Sequence, residues 1–125
     1  MCGILCLYNK QRNVLEDCGK FNQMLHLLEH RGPDDSRTYF DSHVLLGHCR
    51  LSIIDLKGGK QPFEYTYQGK IYRIIFNGEI YNYREIAKRL IEEKKVDRFR
   101  GTSDTEVLLE AMEHMGIEEA IALCK

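Results

Sequence analysis

The chain has 125 residues, of which 43% are hydrophobic and 30% charged, with a formal net charge of -1. That is the length of one domain and the balance of a globular protein, and it offers no electrostatic reason for a nucleic acid or an anionic membrane as partner. No apolar run reaches the length of a membrane span, and the first eight residues lack the basic start of an export signal.

The five cysteines fall at irregular spacings with no CxxC pair, which argues against a disulfide framework or a zinc site. A reducing cytoplasm is the expected setting, with four of the five thiols acting as small apolar fillers. The basic pairs Lys94-Lys95 and Arg98-Phe99-Arg100 have acidic neighbours and read as solvated surface.

In chain order, with no repeat or low-complexity linker, the sequence reads as one continuous domain. Residues 4–9 are apolar and predict a buried strand. Asp17 opens a helix on which Phe21, Met24, Leu25 and Leu28 recur at helical spacing. His30 and Arg31 suit its last turn, Gly32 a left-handed stop, and Pro33 prevents resumption. Strands are predicted at 37–40 and at 43–54, the second interrupted near Leu51 or Ser52. Lys57-Gly58-Gly59-Lys60 predicts a turn, and 70–76 a strand ending at Asn77-Gly78.

Asn82 with Glu85 forms a capping-box pattern before a helix whose inner stripe is Ile86, Ala87, Leu90 and Ile91. Ser103 with Glu106 repeats the pattern for a helix carrying Val107, Leu108, Ala111, Met112 and Met115, which Gly116 ends. A last amphipathic piece holds Ile117, Ala120, Ile121 and Cys124 and reaches Lys125 without a cap, the expected appearance of a cut chain.

The chemistry starts at Cys2. Removal of Met1 would leave a thiol and a free α-amine on one residue. With a pKa of about 7.7–8.0 the amine is partly unprotonated at neutral pH and can accept the thiol proton through one water. Gly3 would let a substrate approach closely. On position alone, a second-residue cysteine carries little weight.

Asn77-Gly78-Glu79 has two readings. Asn-Gly between apolar runs is the strongest short signal for a hairpin turn, yet the Asn82 cap follows almost at once. Alternatively, the Asn77 amide and the Gly78 N–H form an oxyanion hole. Arg50, near the end of an apolar strand, needs an anion, either a substrate carboxylate or an internal Asp or Glu. His48 is read as a core histidine, and a metal site of His48, Cys49 and Cys6 has no supporting spacing. Asp104, in the first turn after Ser103, either complements the helix dipole or joins Glu79 in receiving a substrate ammonium. Thiol, oxyanion donors, cationic clamp and two carboxylates are the parts that hold an amino acid and attack its side-chain amide.

Six ordered motifs sharpen this: Met1-Cys2-Gly3-Ile4; Arg31-Gly32-Pro33-Asp34; Gly47 through Asp55, reading GHCRLSIID; Gln61-Pro62; Phe76 through Tyr83, reading FNGEIYNY; and Ser103 through Val107, reading SDTEV. The chain resembles the N-terminal glutaminase domain of glutamine-hydrolysing asparagine synthetases, a class II, N-terminal-nucleophile amidotransferase family. The resemblance implies an α+β fold, a four-layer αββα sandwich of antiparallel sheets, of which 1–125 is the N-terminal part. It implies that Cys2 is the nucleophile, that Asn77 and Gly78 form the oxyanion hole, that Arg50 binds the glutamine carboxylate and that Glu79 and Asp104 bind its ammonium. Leu51, Ile53 and Ile54 would line the pocket.

No metal or cofactor is expected in this chain. The resemblance implies that ATP and magnesium belong to a synthetase domain of the full-length enzyme, absent from this chain, to which the released ammonia would pass. L-glutamine is the expected small-molecule partner, and a homodimer of the full enzyme stays open. Two departures stand out. Cys49 replaces an arginine or another polar residue, for which local repacking is expected. The chain also stops before the strands that complete the sandwich. With Met1 attached the amine of Cys2 is tied up, and no activity is expected. Two competing readings are a non-catalytic glutamine-binding fragment and a redox or metal-linked thiol protein.

Overall fold

The computed structural model describes residues 1–52 and 59–125. Helices and antiparallel strands are mixed in it, in two compact units.

The first unit holds 1–52 with Lys60–Pro62 and Ile75–Asn77. Three strands, β1 (Gly3–Tyr8), β2 (Asp35–Phe40) and β3 (Val44–Arg50), form an antiparallel sheet in the order β1-β3-β2. The central strand, β3, is buried from Leu45 to Arg50, as expected of a strand paired on both edges. On β1 the residues alternate, with Leu5 and Leu7 turned towards the core and Ile4, Cys6 and Tyr8 exposed. It is therefore a half-buried strand rather than the buried one its composition predicts, and Cys6 is surface, not filler. Helix α1 (Cys18–His26) lays Phe21 and Leu25 on this sheet, where Val14, Phe21 and Leu45 form the core and Phe21 meets Phe40 edge to face at 5.6 Å.

Helix α1 stops earlier than its apolar spacing predicts. The chain leaves it after His26 and makes a single 3-10 turn at Glu29–Arg31. Gly32 is not a left-handed stop, since its φ is -152°. It is glycine because the backbone of β3 runs against it, where a Cβ would lie 2.2 Å from the Cys49 carbonyl oxygen.

The second unit holds Gly59, Phe63–Ile74 and Gly78–Lys125. Its hairpin pairs β4 (Phe63–Tyr67) with β5 (Lys70–Ile74) through Gln68 and Gly69, with φ of 48° and 76°. Two positive φ angles in a two-residue loop match the right-handed twist of a hairpin. The strand predicted at 70–76 is thus two residues shorter, and β4 is an element the sequence reading lacked.

Three helices follow: α2 (Tyr83–Glu92), α3 (Asp104–Met115) and α4 (Ile117–Leu123). The middle one is the spine of this unit, buried from Thr105 to Ala111 because it meets β4, β5, α2 and α4. Ser103 caps it, its hydroxyl accepting the Thr105 N–H at 3.2 Å, and Gly116 at φ 92° ends it. Glu106 does not close the predicted box with Ser103; its carboxylate accepts the N–H groups of Arg100 and Gly101 at 2.7 and 2.9 Å.

Asn82 departs from the capping pattern too. Its side chain makes no cap bond to α2, but donates to the Leu123 carbonyl at 2.7 Å and accepts the Lys125 N–H at 2.8 Å. One amide serves both an acceptor in the last residue of α4 and a donor just beyond it, which a cap bond would not do. Among the described residues no helix is long and apolar enough to cross a membrane. The predicted turn at 57–60 lies in part outside the described residues.

Candidate active site

The site residues fall into two sets, one in each unit. In the first unit, Cys2 is half-buried immediately before β1. Its sulfur accepts the Leu51 N–H at 3.3 Å, and Arg31 Nε donates to the Cys2 carbonyl at 3.2 Å. The chain of Arg31-Gly32-Pro33-Asp34 thereby acquires a purpose. Arg31 holds the backbone of Cys2, Gly32 admits the close approach to β3, and Asp34 accepts the Ser52 N–H at 2.6 Å, fixing the segment after Arg50.

The freedom expected at Gly3 is used internally. A Cβ there would lie 3.0 Å from Leu28 Cβ, so its bareness admits the segment after α1 rather than a substrate.

Arg50 is the last residue of β3, 7% exposed, with Asp35 as its cross-strand neighbour. Leu51 follows it, half-buried, and brings its N–H to the Cys2 sulfur. Cys2, Arg50 and Leu51 are thus gathered at one end of the central strand. Ile53 and Ile54 lie outside the described residues.

Cys49 is fully buried, its thiol directed to the Leu25 carbonyl at 3.5 Å and the Ser36 hydroxyl at 3.7 Å. A cysteine here is a small filler between α1 and β2. Cys6 stands opposite Leu46 on the exposed side of β1, apart from the buried Cys49. Among the described residues no group of three or more His, Cys, Asp or Glu is arranged to hold a metal ion.

His48 is 1% exposed, with the Phe76 backbone beside its ring. Burial pushes its pKa below the ordinary histidine value; the Phe76 carbonyl and Asp35 oppose this fall, while the positive charge of Arg50 adds to it. The ring is therefore neutral at pH 7. Asn77 follows Phe76 and is half-buried, and no strand returns after Asn77-Gly78, so the hairpin reading of this pair fails.

In the second unit, Gly78 and Glu79 are exposed and lead to Ile80, which is 5% exposed. The Ile80 N–H donates to Asp104 Oδ2 at 3.0 Å, and the Thr105 hydroxyl reaches Asp104 Oδ1 at 3.4 Å. Asp104 therefore sits at the start of α3, where the helix dipole favours it, and also ties down the residue after Glu79. This bond joins Asp104 to the backbone of the residue that follows Glu79.

A residue the sequence reading did not single out as chemical is Glu110, 2% exposed on α3. Burial and the neighbouring Glu106 push its pKa up to about 7, with Arg100 opposing. Its only trace in the sequence is a carboxylate four residues after Glu106 on an apolar helix.

Residues 1–125 match the glutamine amidotransferase domain family. The chain is 42% identical over 109 residues, 87% of its length, to asparagine synthetase [glutamine-hydrolyzing] 3 of Bacillus subtilis, covering 17% of that protein. It is also 42% identical over 125 residues, 98% of its length, to asparagine synthetase [glutamine-hydrolyzing] 1 of the same organism, covering 19% of it. With asparagine synthetase B [glutamine-hydrolyzing] of Escherichia coli K12 it shares 34% identity over 118 residues, 94% of the chain and 20% of that protein. The chain thus spans about a fifth of the length of these relatives.

Proposed function

We propose that this chain, which belongs to the glutamine amidotransferase domain family, hydrolyses L-glutamine to glutamate and ammonia with Cys2 as nucleophile. The observation that carries the reading is the grouping at the end of β3: a half-buried Cys2 thiol beside the Leu51 N–H, one residue from the buried guanidinium of Arg50. In a member of this family, a thiol next to a cationic clamp is what an enzyme attacking an amino-acid side-chain amide requires.

Met1 is first removed, freeing the α-amine of Cys2. The amine accepts the thiol proton through a water, and the sulfur attacks the side-chain carbonyl carbon of glutamine, forming a C–S bond. The charge that develops on the carbonyl oxygen is met by the Asn77 amide and the Gly78 N–H. As the tetrahedral centre collapses, the C–N bond breaks, the nitrogen takes the proton held by the α-amine, and ammonia leaves. Water then adds to the thioester, the C–S bond breaks, and glutamate departs with the thiol restored. Arg50 grips the substrate carboxylate, and Glu79 with Asp104 receives its ammonium. Leu51 lines the pocket.

By the same reading the chain is part of a four-layer sandwich, and the ammonia serves an ATP- and magnesium-dependent synthetase domain that transfers it to aspartate. The relatives' printed activity, asparagine synthesis coupled to glutamine hydrolysis, supports that extension.

The test is covalent labelling by a diazoketone analogue of glutamine, with the adduct mapped by peptide mass spectrometry. The expected product is one adduct on Cys2, prevented by excess glutamine. An adduct on Cys6, Cys18, Cys49 or Cys124 instead, or none on Met1-free protein, rejects the assignment.

A further inference from the structure

Gln61-Pro62 is the motif for which neither the reaction nor the geometry around Cys2 supplies a role. Gln61 lies outside regular secondary structure yet is only 8% exposed, an uneconomical place for a primary amide unless its polar atoms are satisfied. Its side-chain oxygen accepts the backbone N–H of Phe76 at 2.5 Å. Phe76 lies beyond the end of β5 and has no strand pairing of its own. A partly buried N–H without a ladder partner favours another acceptor, and Gln61 supplies one from fifteen residues away.

The buried His48 ring lies beside the backbone of the same residue, close enough for the Phe76 carbonyl to oppose the fall in its pKa. Phe76 is therefore bonded at its N–H by one buried side chain of the first unit and flanked by another, and Asn77 is the next residue along.

We propose that Gln61 is a positioning residue for the oxyanion amide: by taking the Phe76 N–H, it fixes the backbone that presents Asn77. This rests on the reading of Asn77 given above. An oxyanion donor gains its effect by being aimed before charge develops, and a donor that must reorient during the reaction loses much of it. Gln61 touches neither substrate nor the reacting atoms; it acts through Asn77. Loss of the acceptor oxygen slows turnover and leaves glutamine binding alone, because Arg50, Glu79 and Asp104 hold the substrate's other end.

The experiment measures kcat and KM for glutamate release by the Met1-free chain and by the variants Gln61→Met, Gln61→Glu, Asn77→Ala and the double variant Gln61→Met/Asn77→Ala. Gln61→Met keeps the length and removes the acceptor. Its expected kcat is lower by about tenfold or more, with KM within about twofold. Gln61→Glu keeps an acceptor at the same reach and restores most of that loss. The double variant is no slower than Asn77→Ala alone, as required if the two act as one device.

Should Gln61→Met fail to fold, Gln61→Asn serves, since it keeps an amide but withdraws the acceptor by one methylene. An unchanged kcat in a folded acceptor-free variant overturns the proposal. So does a loss that multiplies fully with that of Asn77→Ala, or a Gln61→Glu variant as slow as Gln61→Met. Absence of glutamate release by the unsubstituted Met1-free chain overturns the glutaminase reading itself, which separates the two failures.

Discussion

The backbone N–H of Ile80 donates to Asp104 Oδ2 at 3.0 Å, joining the start of α3 to the residue that follows Glu79. Asp104 therefore has two duties, a structural bond and a negative charge, and two substitutions separate them. Asp104→Asn keeps an acceptor oxygen but loses the charge; KM for glutamine is expected to rise about tenfold or more, with little change in stability. Asp104→Ala loses both and leaves the nearly buried Ile80 N–H unsatisfied, adding a destabilisation of about 1–3 kcal/mol. Steady-state kinetics and urea unfolding of both variants check this.

Asn77→Ala removes a donor that acts when charge appears on the oxygen. A fall in kcat of about 100- to 1,000-fold is expected, with KM for glutamine much less affected. A rise in KM with kcat intact would place Asn77 in substrate binding instead.

Glu110 makes the fold sensitive to pH. Its pKa is about 7 in the folded chain against a reference value of 4.5, so the folded state holds its proton more tightly than the unfolded state. Its contribution to stability is fully present below pH 4.5 and is lost as pH rises to about 7. Glu110→Gln, neutral at every pH, is expected to gain up to about 3 kcal/mol over the parent at pH 8 and little at pH 4. Chemical denaturation at the two pH values measures the difference.

Asn82 is bonded to both Leu123 and Lys125, and the Tyr81 N–H donates to the Lys125 carbonyl at 2.8 Å. Asn82→Ala is expected to cost about 1–2 kcal/mol and to speed amide exchange at Cys124 and Lys125 while leaving the interior of α3 protected. Hydrogen exchange read by NMR distinguishes this from general destabilisation.

Elements carrying a local signal were legible in the sequence. Helix α3 starts at Ser103 and ends at Gly116 because the cap hydroxyl and the positive φ are requirements of the chain itself. The end of α1 was not legible, because Gly32 answers to the approach of Cys49, a residue seventeen positions away. The strand β4 was missed since Gln68-Gly69 is a weaker turn signal than Asn77-Gly78, and the stronger signal proved not to be a hairpin.

For the site, Cys2, Arg50 and Asp104 stand out in the sequence as candidate groups; the Leu51 N–H on the Cys2 sulfur and the Ile80 N–H on Asp104 are bonds between distant segments that no local pattern records. The grip of Gln61 on Phe76 joins two loops, and such a bond leaves no periodic trace in sequence. Asn82 and Glu106 were assigned the wrong partners for a related reason: a cap pattern records what a side chain can reach locally, whereas tertiary neighbours supplied other bonds.

The account depends on Cys2 acting as an amino-terminal residue, and the most direct measurement compares glutamate release by two preparations that differ only in Met1, their state verified by intact mass. The form beginning at Cys2 is expected to release glutamate. The form retaining Met1, whose Cys2 nitrogen lies in a peptide bond, is expected to be slower by about 100-fold or more, the contribution of a positioned general base. Equal rates from the two forms would contradict the account, because the thiol would then be activated by a base other than its own amine.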